Sequence, residues 1–225
     1  MFAQKSFFAT DELIIGFLNA CSLRKHAIDI DIDAELNKCH ILGIAETWLY
    51  ENEEIRLEQF SSCTFVSDGP GKGVAAYTKD EHFENVVKVI EPTFSFISSD
   101  FHFKFNDEVV NLRVIFVYLS SKANYQEFKV RIRSLLTKDL PTIIMGDMNF
   151  HYSEEPHSVK DYLEDCYGFK QIVQEPTNDK AGHILDQIYV HPPNLIQEDD
   201  FELKPLYFSD HDALCVKIRG RKTIV

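Results

Sequence analysis

The stretch TIIMGDMNFH, residues 142–151, decides how the rest of the chain is read. Thr142 to Met145 have the apolar, β-branched composition of a strand buried on both faces. Gly146 is expected to stop that strand and to let the backbone approach a neighbour closely. Asp147 and Asn149 flank Met148, so in an extended segment their side chains share one face. A carboxylate and a carboxamide at the end of a buried strand are costly unless something pairs with them. Alone, the stretch supports an Asx turn closing a strand, or a hard-cation or phosphate site, since oxygen ligands suit Mg²⁺.

Two earlier runs end the same way. LIIGFL (13–18) reads as a buried strand ending at Asn19, and HILGIA (40–45) as a second one ending at Glu46. Asn19 also suits a helix cap, because Ser22-Leu23-Arg24-Lys25 can open a helix. Glu is rarely buried without a partner. Three strands thus deliver Asn19, Glu46 and Asp147 with Asn149 at their ends, and a shared site explains this better than three independent caps. Between the first two strands, AIDIDIDAEL (27–36) alternates like a strand but also aligns Ile28, Ile32 and Leu36 on one helical face. A crossover is wanted there, so a helix is expected, with Asp29, Asp31 and Asp33 as a solvated face.

Residues 60–66 and 73–77 read as a hairpin around Ser67-Asp68-Gly69-Pro70-Gly71. Further strands are expected at 86–90, 93–98, 102–105 and 109–118, the last ending in Tyr118-Leu119-Ser120. Asn124 to Lys138 is predicted helical, with Tyr125, Phe128, Ile132, Leu135 and Leu136 on one side. A short helix at 159–166 precedes a strand at 183–190 (HILDQIYV), in which Asp186 is a polar insertion. An acidic edge strand at 199–203 and a closing strand at 213–218 flank Ser209-Asp210-His211-Asp212. No repeat, linker or low-complexity segment interrupts residues 1–225, and the length fits a single domain.

Composition narrows the function classes. Hydrophobic residues at 44% and charged residues at 26% are ordinary for a globular protein, and 18 Phe with 9 Tyr are enough for a large core. With 23 Lys+Arg against 36 Asp+Glu the net charge is −13, which argues against a generic basic nucleic-acid coat but not against a local basic rim. Arg24 and Lys25, Lys72, Lys122 and Lys180 adjoin the candidate site segments and could form such a rim around its mouth, gripping phosphates. The five cysteines are scattered, odd in number and never in CxxC spacing, so they read as reduced thiols of an intracellular protein rather than a zinc site. No run approaches the roughly 18 apolar residues of a membrane helix, and no membrane partner is expected.

In chain order the polar set is Asn19, Glu46, Tyr118, Asp147, Asn149, Thr177, Asp186, Asp210 and His211. GDMN at 146–149 followed by SDH at 209–211, with a strand-terminal Glu upstream, resembles the endonuclease/exonuclease/phosphatase superfamily over residues 13 to 218. More narrowly, LNACSLRK, IAETWL, GKGVAAYTK, EPTN…ILDQIYV and SDHDAL look like the endonuclease domain of non-LTR retrotransposons, itself similar to apurinic/apyrimidinic endonucleases. The resemblance implies an α/β (α+β), DNase I-like fold, a four-layer sandwich of two mixed β-sheets flanked by helices. It also implies a Mg²⁺-dependent phosphodiester hydrolase, with Mn²⁺ as the other cation to consider. The activity implied is a DNA endonuclease that nicks one strand, leaving 3′-hydroxyl and 5′-phosphate ends, and nuclear access would follow.

The roles carried over are these. Glu46 is the natural cation ligand, with Asn19 and Asp210 close by. Asp147 orients or deprotonates the attacking water, and Asn149 holds a phosphate oxygen and Asp147's partner groups. His211 paired with Asp186 is a carboxylate-raised imidazole that can hydrogen-bond the phosphate. Tyr118, Thr177 and Ser209 offer hydroxyls, and Arg24, Lys72 and Lys122 offer charge to substrate phosphates. Cys21 departs from the pattern, standing where many relatives place Arg. Two rivals remain: a phosphoesterase of the same fold acting on RNA, nucleotides or phosphoinositides, and an inactive retrotransposon-derived binding domain.

Overall fold

The structure is a computed structural model that describes residues 8–9, 12–79, 83–105, 108–150, 158–178 and 182–219. Two mixed β-sheets face each other. The six-stranded sheet is built from β2 (Glu12–Asn19), β3 (Ile41–Ala45), β4 (Ser62–Val66), β5 (Val74–Thr78), β12 (Phe201–Lys204) and β13 (Ala213–Arg219), in the order β12-β13-β2-β3-β5-β4. The seven-stranded sheet holds β1 (Phe8–Ala9), β6 (Glu84–Glu91), β7 (Phe94–Phe105), β8 (Glu108–Leu119), β9 (Thr142–Asp147), β10 (Lys170–Gln171) and β11 (Asp186–His191). Its order is β1-β7-β8-β9-β11-β10, with β6 also on β7. Helix α1 (Leu23–Ile32) covers the outer face of the first sheet, while α2 (Tyr125–Ile132) and α3 (Ser158–Asp161), which runs on as a π-turn over Tyr162–Cys166, cover the second. The four-layer, DNase I-like sandwich expected from the sequence is the architecture found.

The period of two along a strand explains the layers. Leu13, Ile15 and Phe17 of β2 point between the sheets, where they meet Val114 and Phe116 of β8 and Ile143 and Met145 of β9. Ile14 and Leu18 point the other way, onto Leu23, Ile30 and Leu36. Each such fully buried side chain contributes about 1.5–3 kcal/mol through burial. Phe17 and Phe116 stack across the seam at 6.2 Å, and the Phe116 ring lies where a Cβ on Gly43 would stand. Gly43 is therefore a clearance for that ring.

Several expectations need correction. The crossover is a helix, but its buried face is Leu23, His26 and Ile30; Ile28 and Ile32 are 76% and 70% exposed. The helix ends at Asp33, whose Oδ1 accepts from the backbone N–H groups of Glu35 and Leu36, so Leu36 falls in a separate 3-10 turn and the i+8 alignment is broken. Asp29 and Asp31 are tied to protein as well: Asp29 to His26 and Tyr207, Asp31 to the Glu58 N–H. Gly146 does not stop β9, which runs to Asp147. A Cβ at Gly146 would overlap the Val117 carbonyl oxygen, so glycine keeps β8 and β9 in contact up to the last pair. The segments 93–98 and 102–105 are one strand, the helix predicted to Lys138 ends in a 3-10 turn at Leu135, and β11 begins at Asp186.

Candidate active site

Strand pairing brings the polar set together. β8 and β9 run parallel with Tyr118 opposite Asp147, and β9 pairs antiparallel with β11 with Asp147 opposite Asp186. In the other sheet β2 and β3 run parallel with Asn19 opposite Ala45, so Glu46 follows at the same end. The sheets meet there through Asn19, whose Nδ2 donates to Glu46 Oε1 at 3.1 Å and to Asp147 Oδ2 at 2.9 Å. Asn19 Oδ1 accepts from the Cys21 N–H at 3.0 Å. The helix-cap alternative for Asn19 is thus set aside: Ser22 occupies the N-cap position.

Asp147 accepts three hydrogen bonds. Its Oδ1 accepts from the Asn149 N–H at 2.9 Å, and its Oδ2 accepts from Asn19 and from Asn149 Nδ2 at 3.1 Å. Asn149 is not extended, as the alternation argument supposed. It adopts the left-handed region (φ 50°), which folds its amide back onto Asp147 and onto the Leu119 carbonyl at 2.8 Å. Both Asn149 amide protons are engaged this way, so in this state the side chain orients Asp147 and has none to offer a phosphate. Burial and the facing Asp186 carboxylate raise the pKa of Asp147, against the pull of His211 and these donors.

Asp186 Oδ2 accepts from His211 Nδ1 at 2.7 Å and from Thr177 Oγ1 at 2.8 Å. Thr177 Oγ1 also receives the N–H groups of Leu185 and Asp186, so this buried hydroxyl fixes Asp186. Burial works to discharge His211, but the Asp186 hydrogen bond and charge outweigh it and lift the imidazole pKa to about 9. Ser209 Oγ donates to the Asn19 carbonyl at 2.8 Å and accepts from the His211 N–H at 3.2 Å. It pins the SDH turn to the end of β2 and is likewise committed to the protein.

The Tyr118 hydroxyl is pushed above its ordinary pKa by burial, then by the Glu46 and Asp147 carboxylates, and so stays a proton donor. Cys21, in the left-handed region (φ 45°), places Sγ 3.6 Å from Asp210 Oδ1, and burial with Glu46 and Asp210 pushes the thiol up to about 12. Negative charge therefore collects around Glu46 and Asp210, where a divalent cation would offset it. Their hard oxygens suit Mg²⁺ or Mn²⁺. A second group, Asp147, Asp186 and His211, brings ligand atoms within 4.8 Å of one another, and Asp186 Oδ1 is buried without a hydrogen-bond partner. The His211 nitrogen and the three donors on Asp147 make that trio less suited to Mg²⁺ than the Glu46–Asp210 side. The residues present fit a divalent cation.

The expected basic rim is self-neutralised only in part. Arg24 pairs with Glu53 and Lys72 with Asp68 at 3.2 Å, Lys25 and Lys122 are exposed, and Lys180 lies outside the described residues. Sequence reasoning quoted Trp48 but gave it no role; its Nε1 donates to Glu46 Oε2 at 3.1 Å. A Trp two residues after a strand-terminal Glu was the available signal.

The "Endonuclease/Exonuclease/phosphatase family" profile matches residues 19–211. A sequence search of curated proteins finds no match. Among solved structures, a 3′-5′ exonuclease (NExo) from Neisseria meningitidis is 16% identical, with a TM-score of 0.68 over 92% of this chain and 100% of that one. An AP endonuclease from Archaeoglobus fulgidus is 19% identical, with a TM-score of 0.65 over 93% and 100%. The endonuclease domain of TRAS1, a telomere-specific non-LTR retrotransposon, is 16% identical, with a TM-score of 0.62 over 92% and 98%. These likenesses establish a fold shared with nucleases. The profile, running from Asn19 at the end of β2 to His211 beside β13, includes every residue of the site, and by it the chain belongs to the endonuclease/exonuclease/phosphatase family.

Proposed function

We propose that the chain is a single catalytic domain that hydrolyses phosphodiesters with Mg²⁺ or Mn²⁺, and that its substrate is DNA, nicked on one strand to leave 3′-hydroxyl and 5′-phosphate ends. The observation that carries this reading is the juxtaposition of Asp147 with the Asp186–His211 pair, tied through Asn19 to Glu46. Asp147, held by Asn19 and Asn149, orients the attacking water and accepts its proton as the water oxygen bonds to phosphorus. A raised carboxylate pKa suits a general base. His211, kept cationic by Asp186, donates from the ring nitrogen opposite that bond to a phosphate oxygen as charge builds there. Tyr118 contributes a second donor. The P–O3′ bond breaks in line, and the leaving oxygen takes a proton from solvent. Glu46 and Asp210 would hold the divalent cation, which when bound would supply neutralising charge at the phosphate. In such transfers positioning and electrostatics do nearly all the work. DNA as partner entails an intracellular protein with nuclear access.

The test is nicking of supercoiled plasmid with Mg²⁺, beside Asp147→Ala, His211→Ala and an EDTA lane. Open-circle product lost in all three controls supports the reading; no nicking by the folded protein refutes DNA cleavage. One observation favours a second reading. Two of the expected rim cations, Arg24 and Lys72, are engaged by Glu53 and Asp68, which weakens the grip on a long phosphate backbone more than on a small phosphodiester. Turnover of a dinucleotide at a rate independent of salt, without nicking, selects that reading.

A further inference from the structure

We infer that Trp48 is a positioning residue that fixes the Glu46 carboxylate for cation binding; this rests on Glu46 being a cation ligand, as proposed above. The two oxygens of Glu46 are bracketed by donors from different elements, Asn19 Nδ2 on Oε1 and Trp48 Nε1 on Oε2, each at 3.1 Å. The Tyr118 hydroxyl is a third donor beside this carboxylate; with about four acceptor positions on its two oxygens, Glu46 keeps room for a cation while the rotamer is held. The backbone is bent to make the second contact. Glu46 (φ 49°) and Trp48 (φ 55°) both occupy the left-handed region, on either side of buried Thr47, which turns the two side chains toward each other. Outliers of this kind cluster where surrounding structure enforces a functional geometry.

The enforcing contacts come from both sides. The N–H groups of Ser22 and Leu23 donate to the Glu46 and Thr47 carbonyls at 2.9 and 3.1 Å, and the Trp48 N–H donates to the Lys72 carbonyl at 3.1 Å. Thr47 Oγ1 and Ser67 Oγ lie 3.1 Å apart, and a Cβ on Gly73 would overlap both. Trp48 is itself 37% exposed, so core packing does not explain its place. Outer partners of metal ligands commonly set affinity by ten- to a hundredfold.

The chain has one Trp, so the residue reports on its own site. Calorimetric titration of Mn²⁺ into metal-free wild type and Trp48→Phe is the experiment, with melting of both metal-free proteins. The expected result is about tenfold weaker binding by Trp48→Phe with an unchanged metal-free melting temperature. Trp48 emission in the wild type should change over the same Mn²⁺ range, and this change should be lost in Glu46→Gln. Equal affinity of wild type and Trp48→Phe, or emission indifferent to saturating Mn²⁺, overturns the inference alone. A wild type that binds no Mn²⁺ overturns the metal-dependent reading as well. Should Trp48→Phe melt lower, the emission titration decides.

Discussion

Replacing Asp186 by Asn removes the charge that holds His211 protonated while keeping the shape of the side chain. In the wild type His211 titrates at about 9, against an ordinary 6.5, and it is 8% exposed, so solvent screens the pair little. That gap corresponds to about 3 kcal/mol, at ~1.4 kcal/mol per pH unit. The folded pKa is the raised one. The contribution is therefore fully present below pH 6.5, falls by at most ~1.4 kcal/mol per unit above it, and is lost as pH rises through 9. In Asp186→Asn burial acts with less opposition, so the His211 pKa drops toward or below its ordinary value and most of this slope goes. The assay is urea unfolding of both proteins in EDTA at several pH values between 6 and 10. The wild-type advantage should shrink as pH rises, and NMR of the His211 ring should show its titration moving down. Parallel stability curves, or a wild-type His211 that titrates near 6.5, would refute the reasoning.

Thr177→Val keeps the shape but strips a hydroxyl that serves two backbone N–H groups and the Asp186 carboxylate; a loss of about 1–3 kcal/mol is expected in the same unfolding assay. Gly146→Ala drives a methyl into the Val117 carbonyl, and because backbone is the obstacle, β8 and β9 must part beside Tyr118 and Asp147. It should lose about 1–3 kcal/mol and also most hydrolytic activity; normal turnover would show that this register does not matter. Asp147→Ala should reduce phosphodiester turnover by about 100-fold or more while the circular dichroism spectrum holds.

The strands were legible because burial on one or both faces writes a period of two, or a continuous apolar run, into the residues. β2, β3 and β9 each announced a polar residue at the same end, and that regularity made the site readable before any geometry. The face of α1 was not. Ile28, Ile32 and Leu36 keep helical spacing, yet Asp33 captures the N–H groups of Glu35 and Leu36 and ends the helix between them. Side-chain allegiance was also hidden. Thr177, Ser209 and Asn149 are hydroxyls and an amide in the right segments, but only three-dimensional placement shows their protons committed to Asp186, the Asn19 carbonyl and Asp147. Arg24 and Lys72 looked available as cations until Glu53 and Asp68 appeared beside them.

Phe116 resting in the clearance left by Gly43 acts as a gauge block between the two sheets. Half of the polar cluster is mounted on each sheet, and Asn19 spans the gap to Asp147 over 2.9 Å. The thickness of the core is therefore a machining tolerance for the reaction. A methyl added at position 43 would wedge the sheets apart and unseat Asn19 without touching any polar group, so residues far from the cleft can tune the rate.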